Sequence, residues 1–570
     1  MKVKGISRDF SRAWRSFSVR QRLTLYGFIL ISVVAIVTFW WQINEQYLVE
    51  VPASGGSWTE GIVGTPRFIN PLLAITETDR DLTILIYSGL TRASSSNQFV
   101  PDLADSFTIS EDKLIYTFKL KSDLEWHDGK PLTADDVIFT IEKAQDPLLK
   151  SPRRAAWEGV KATKIDNQTV QFTLKQPYNG FLENTTLGIL PAHLWKKIPI
   201  ETFSYDALNL DPIGSGPYKI KNIAQSNAGS VINYFDLVPF NKSALGKPYI
   251  NHLRLRFYEN DNALMSAYKR GDIDSLSAVS PDIVKPLVGN NTKVITAPLP
   301  RVFGIFFNPN QNKIFTRSEV RSALNQAVNK QEIIDKVLFG FGISLATPIP
   351  LAAIGQEDPA TTSTSLDKAR TILENKGWVK GSDGIYQKVI DGKETLRLSF
   401  TLATSDATEL KAVAEQVEAA WKTLGAEVTI KVFEKGDLSQ DVIRPRQYDA
   451  VLFGEVVGKN PDPYVFWHSS QRFDPGLNIA NYANVAVDKI LENLRSITDP
   501  TERLTAYEKI NTLIAADNPA IFLYSPLFVY IVPTDINNLN LLPITIPADR
   551  FTTIAEWYIS TDRVWKIFTK

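Results

Sequence analysis

Nineteen consecutive residues, Leu23 to Trp41, carry no charge. At 1.5 Å rise per residue a helix of that length spans about the 30 Å of a hydrocarbon core, so the run predicts one N-terminal transmembrane helix. After about Gly55 the pattern changes. Leu114–Leu120 and Thr169–Lys175 alternate apolar and polar residues, as half-buried strands do. Asp391-Gly392 predicts a hairpin turn, because both residues tolerate positive φ, with Leu396, Leu398 and Phe400 on one face beyond it. Thr133 with Asp136, Thr316 with Glu319, and Asp499 with Glu502 each set an oxygen acceptor three residues ahead of an acid, which predicts helix starts. Val320, Ala323, Leu324, Ala327, Val328, Ile334, Val337 and Leu338 hold helical spacing for about six turns. A second helix, Ala407 to Leu424, stops at Gly425 and is followed by alternating Val428, Ile430 and Val432. Helix-then-strand units of this kind predict an α/β body.

Composition adds that this body is folded: 44% of residues are hydrophobic and 22% charged. Lysine plus arginine and aspartate plus glutamate both number 62, so no global field draws the chain to nucleic acid. Locally the balance breaks. Residues 1–22 hold seven basic residues and one acid, which by the positive-inside rule keeps them in the cytoplasm and puts everything after Trp41 outside, at the cell surface or in the periplasm. The apolar run is longer than a signal peptide's, although Val51-Pro52-Ala53 is a site a signal peptidase could use. Residues 42–54 read as a linker. Cysteine is absent, which excludes disulfides, thiolate metal sites and cysteine nucleophiles.

Catalytic patterns are missing. The histidines His127, His193, His252 and His468 stand apart, with no helix-spaced metal pair. There is no G-x-S-x-G elbow, no phosphate loop and no dinucleotide fingerprint. Gly214-Ser215-Gly216-Pro217 precedes a strand-like segment rather than a helix, so it reads as a tight turn. No catalytic residue, metal or cofactor is expected.

Ten segments in order are informative together. They run from Gly55-Gly-Ser-Trp-Thr-Glu-Gly61 and Phe68-Ile-Asn-Pro-Leu72 through Trp126-His-Asp-Gly-Lys-Pro-Leu-Thr-Ala-Asp-Asp-Val137 and Pro212-Ile-Gly-Ser-Gly-Pro-Tyr218. Val320–Val328, Lys376-Gly-Trp378, Gln447–Ala450, Pro461-Asp-Pro463, Asn478–Asp488 and Asn518–Tyr524 follow. The set resembles the extracellular solute-binding proteins of family 5, the oligopeptide and dipeptide type. That resemblance implies a two-lobed α/β fold of the periplasmic-binding-protein kind (type II, cluster C) with an extra inserted domain. The implied division is 55–91, 206–299 and 526–570 for lobe 1, 92–205 for the insertion and 300–525 for lobe 2.

The resemblance also implies where an extended solute would lie, between one strand edge on each lobe. By position these are Thr76-Glu77-Thr78, and Glu455-Val456-Val457 with Lys459. Trp467 could stack on the solute, and Asn478 completes the set. Peptide binders of this family commonly carry an aspartate where this chain has Lys459 and a tryptophan where it has Val456. Lysine there would repel a free amino terminus and attract a carboxylate, while Glu455 and Glu77 could supply the missing negative charge. The implied partners are a peptide or similar solute and the permease and ATPase subunits of an ABC importer, with the membrane engaged through Leu23 to Trp41. A sensory receptor of the same fold, or an anchored hydrolase, are the alternatives.

Overall fold

The computed structural model describes residues 17–569 apart from 95–97, 178–179, 226–230, 278–283, 285–290, 355, 359–363, 393, 459–460, 498 and 542–543. The uncharged run lies in one helix, Val19–Tyr47, with no buried residue and with the length and apolarity needed to cross a membrane. A capping box starts it: the Ser18 N–H donates to Gln21 Oε1 (2.9 Å) and the Gln21 N–H to Ser18 Oγ (3.4 Å). Residues 42–54, expected as a linker, are ordered instead. The helix continues to Tyr47, and Leu48–Ala53 then pairs antiparallel with Ser560–Trp565, Leu48 opposite Trp565 and Ala53 opposite Ser560. Val51-Pro52-Ala53 is therefore part of a strand pair.

The body is organised by a sheet of 12 strands. At its centre runs Ala520–Pro533, 14 residues long. Its first half pairs with Arg301–Phe307, beyond which follow Ala450–Val456, Ser399–Ser405 and Glu427–Phe433. Its second half pairs with Thr292–Pro298 and Ser275–Ser277, beyond which follow Gly55–Val63, Ile250–Tyr258, Ile232–Pro239 and Tyr218–Gln225. Pro526 marks the changeover on one strand, and Pro298-Leu299-Pro300 on its neighbour. Proline has no N–H for a ladder, so pairing thins there. On this side the Leu299 N–H on Pro526 O (3.2 Å) and the Ser525 hydroxyl on Leu299 O (2.6 Å) span the gap, while on its other side the long strand pairs antiparallel there with Gly342–Ser344.

Buried side chains divide at the same level. One core collects residues of 58–257 with Ala297, Leu299 and residues 528–557. Two more lie on opposite faces of the sheet on the far side of the changeover. Ile305, Leu402, Leu452 and Ile521 point into one, and Val302, Phe306, Val451 and Phe522 into the other, as the two-residue period of a strand requires. The four-stranded sheet of 104–109, 115–120, 169–173 and 161–164 contributes Phe118, Val170 and Phe172 to the first core. Side chains of the segment 92–205 thus pack into the same core as those of the first strands of lobe 1.

Most local expectations hold. Thr133 and Asp136 form the capping box of Ala134–Gln145, and Asp499 accepts from the Thr501 and Glu502 amides ahead of Pro500–Asp517. The six-turn helix after Thr316 is different. It is two helices, Ser318–Ala327 and Lys330–Val337, and Thr316 ends a preceding 3-10 turn. Asn329 breaks it by turning its side chain back onto the Glu332 amide (3.1 Å), which caps a new helix rather than continuing the old one.

The strand Gly55–Val63, the helix Glu77–Ile86 and the C-terminal part of the chain meet at a fully buried arginine. Arg550 donates to Asp81 through both terminal nitrogens (2.9 and 2.7 Å) and to Glu60 Oε1 through Nε and Nη2 (3.2 and 3.0 Å). Tyr530 and Ser275 donate to the other Glu60 oxygen. Arg550→Met should therefore leave two buried acids without a cation and cost about 3–5 kcal/mol, against about 1 kcal/mol for Tyr530→Phe. Denaturant unfolding reads both; an unchanged midpoint for Arg550→Met would show that the cluster contributes no stability.

Candidate functional site

The helix Glu77–Ile86 is held at its start from three sides. Thr76 caps it, its hydroxyl accepting from the Asp79 amide (3.1 Å). Asp79 Oδ1 in turn accepts from the Arg67 and Phe68 amides (2.7 and 2.9 Å), tying down the Phe68–Leu72 turn. Asp81 is locked by Arg550. At the other end Gly214 and Gly216 let the turn before Tyr218 lie against the Ile86 main chain, where any side chain would collide with it. The Gly216 N–H donates to Ile86 O (2.8 Å). His127, from the Trp126–Val137 segment, receives this turn through its amide on Gly214 O (2.8 Å). Two segments that the sequence analysis matched separately thus meet at one helix end.

Thr76, Glu77 and Thr78 are consequently a helix start and not the strand edge expected of them. Thr78 is buried, with its hydroxyl on Val63 O (3.2 Å), and so faces the core. Glu77 is the member that faces other charges. The residue is exposed, but partial desolvation of its carboxyl, with Asp81 beside it, shifts it above the ordinary glutamate range, against the pull of Arg550, of Arg301 from across the lobe boundary, and of Arg80.

On the other lobe the strand Ala450–Val456 is paired along its whole length with Arg301–Phe307, but with Ser399–Ser405 only at Ala450 and Val451. From Phe453 to Val456 one main-chain edge has no strand partner among the described residues. This edge is what an extended chain needs to add itself to a sheet. Val456 is exposed on it, and Val457 is buried, its N–H on Pro300 O (2.8 Å). Burial works against the negative charge expected of Glu455. Its carboxyl is buried, Oε2 has no hydrogen-bond partner among the described residues, and burial alone pushes it well above the usual range, disfavouring the charged form. Lys459 lies outside the described residues.

Two further expectations are corrected. Trp467 is 1% exposed and packs on Phe306, Tyr482 and Phe522, so its ring is core and not a stacking surface. Asn478 is fully buried, with its amide on His468 O and Tyr482 O (3.1 and 2.9 Å) and its carbonyl on the Tyr482 amide (3.0 Å), leaving no group for a solute.

The arginines are what the sequence reading missed. Under the helix Glu77–Ile86, between it, Arg153–Gly188 and Thr545–Ala555, lies a cavity of about 490 Å³. Arg80, Arg92 and Arg153 line it. The Nε atoms of Arg80, Arg92 and Arg301 are buried with no hydrogen-bond partner. Burial and then the like charge of Arg80 lower the pKa of Arg153, with Asp549 and Glu183 opposing. Among the described residues no carboxylate lies within 4 Å of Arg80, Arg153 or Arg301. Cations held this close without direct counterions favour an incoming anion, and Asp102, raised to about 6 by burial, opposes one less as pH falls below that value. Asp79-Arg80-Asp81 looks like any solvated helix face, so nothing local marked Arg80.

The family model for bacterial extracellular solute-binding proteins, family 5, matches residues 98–474. The oligopeptide-binding protein AppA of Bacillus subtilis is 31% identical over 487 residues, covering 83% of this chain and 87% of that protein. Its solved structure, in complex with a nonapeptide, superposes with a TM-score of 0.64 at 29% identity, covering 90% of this chain and all of that one. The ABC transporter substrate-binding protein CtaP of Listeria monocytogenes gives 0.71 at 28% identity, covering 89% and 99%.

The burial of the Glu455 carboxyl has a direct test. An acid whose folded pKa is raised destabilises the fold as pH climbs from the unfolded value toward the folded one, because the folded chain must keep a proton that the unfolded chain releases. Glu455→Gln should match the wild type at pH 4 and be more stable by on the order of 1–3 kcal/mol at pH 8. A difference that stays constant with pH, in thermal melts across that range, would mean that Glu455 is solvated.

Proposed function

The chain belongs to the bacterial extracellular solute-binding proteins of family 5, and from that premise we propose that it is a membrane-anchored extracytoplasmic receptor for an ABC importer. It binds a peptide or similar extended solute between the two lobes. The observation that carries this reading is the unpartnered main-chain edge Phe453–Val456, on the strand that pairs with Arg301, across the lobe boundary from Glu77. Main-chain bonding to that edge gives affinity without reading side chains. Pro298, Pro300 and Pro526 make the changeover between lobes the place where closure turns, since the ladder between Thr292–Pro298 and Arg301–Phe307 is interrupted there on one side of the long strand.

Arg80 and Arg153 give the solute a polarity. A carboxylate, either the C-terminus of a peptide or an acidic side chain, is the group they take, and Lys459 adds a further cation on the other lobe's segment. Val19–Tyr47 serves as the anchor, with the basic residues before it held inside. Energy for transport comes from separate ATPase subunits, in keeping with a chain that has no phosphate loop.

Incubation with a peptide library followed by native mass spectrometry should recover intact peptides. Time-dependent cleavage abolished by a substitution in the cleft would establish the hydrolase instead. For a captured peptide, amidation of its carboxylate should cost about 2–5 kcal/mol, more than tenfold in Kd, in the wild type and little in Arg153→Ala. Equal losses in both proteins, measured by calorimetry, would move the carboxylate away from the arginines.

A further inference from the structure

The anchor helix and the body are joined by more than the peptide bond between them. Where the strand Leu48–Ala53 rises from the helix end, Ser560–Trp565 descends beside it, so that Trp565 comes back level with Leu48. Side chains then fasten this descending strand to the last turn of the helix. The Trp565 indole donates to Asn44 Oδ1 (2.8 Å), its ring stacks on Tyr47 (6.5 Å between centroids), and Arg563 donates to both Glu45 oxygens (3.3 and 3.0 Å). Past Trp565 the chain makes a single 3-10 turn, Lys566–Phe568. Here Ile567 is 76% and Phe568 74% exposed, among the least covered apolar side chains of the body.

The helix sets the height of this turn. The apolar run ends at Trp41, and Asn44 is three residues on, about 4.5 Å farther along the axis. The polar layer on each side of a bilayer is about 5–8 Å deep. Trp565 therefore stands inside that layer, and a compact turn at about 2 Å per residue keeps Lys566–Phe568 within or next to it. An indole, an aliphatic and an aromatic side chain beside a lysine is the composition that such a layer favours, with the rings at headgroup level and the ammonium toward phosphate. The same two apolar groups on a surface in bulk water would have no compensating contact.

We propose that Trp565, Ile567 and Phe568 form a second membrane contact, inserted in the outer interfacial layer of the bilayer that the helix crosses. The inference rests on the anchor reading of Val19–Tyr47. With two points of attachment, the body is held at one height and orientation over the membrane instead of swinging on a tether, which presents the cleft to a membrane partner in a fixed pose. The occupant of the patch is lipid, and a protein partner is the competing outcome.

The chain has no cysteine, so one introduced thiol can be labelled cleanly. The full chain carrying Phe568→Cys with an environment-sensitive fluorophore is reconstituted in phosphatidylcholine and phosphatidylglycerol vesicles doped with acyl-chain nitroxide lipid. Val37→Cys in the helix and Val389→Cys, exposed on the other lobe, serve as references. Strong quenching at positions 37 and 568, and none at 389, is the expected result. Quenching at 37 alone overturns the second contact and leaves the anchor standing. No quenching at either position overturns both readings. A signal at 568 that changes only on adding a permease would replace lipid by protein.

Discussion

Neighbouring strands hold each other through N–H donors, and proline has none. At the level where the two lobes meet, both adjacent strands carry proline: Pro298 and Pro300 on one, Pro526 on the other. Ala520–Pro533 is nonetheless one continuous strand that serves both cores. Everything else in the molecule is placed relative to that line. The lobes are covalently and sterically committed to a common sheet, yet on one side of that strand the ladder is interrupted between them, with Gly342–Ser344 bridging the level on the other.

On lobe 1 the burden of holding the site falls on Arg550. Two acids against one guanidinium, all buried, is a costly arrangement unless each oxygen is occupied, and here Tyr530, Ser275 and the arginine account for the Glu60 and Asp81 oxygens. The cluster fastens the strand Gly55–Val63 to the helix that carries Glu77 and Arg80. The glycine turn then closes the other end of that helix by main-chain contact. A helix fixed at both ends can present charged side chains at a lobe boundary without its own position shifting with them. Opposite it, Glu455 shows the converse: burial pushes its carboxyl well above the usual range and disfavours its charge.

The end of the N-terminal helix follows the same logic of closing a long loop. The strand pair Leu48–Ala53 and Ser560–Trp565 joins residues more than 500 positions apart in sequence, and Arg563 and Trp565 carry the attachment down onto the helix. A linker of that composition could have been free. Pairing makes it a rigid neck, so the orientation of the body becomes a property of the fold.

Sequence alone determined what depends on neighbours a few residues away. The apolar run, the caps at Thr133 and Asp499, the stop at Gly425 and the strand alternations are all read from local spacing, because helix turns and strand pleats repeat over two to four residues. The matched segments carried the two-lobed α/β fold as well, since their order along the chain is itself a pattern. Tertiary structure decided which side chains can meet a solute. Trp467 and Asn478 look as available as Glu77 in one dimension, but burial depends on what packs above them. Arg550 finds Asp81 and Glu60 across 469 and 490 residues, and the arginines around the cavity come from separate segments. Pairing and burial are distances between remote parts of the chain, and only the folded body sets those distances.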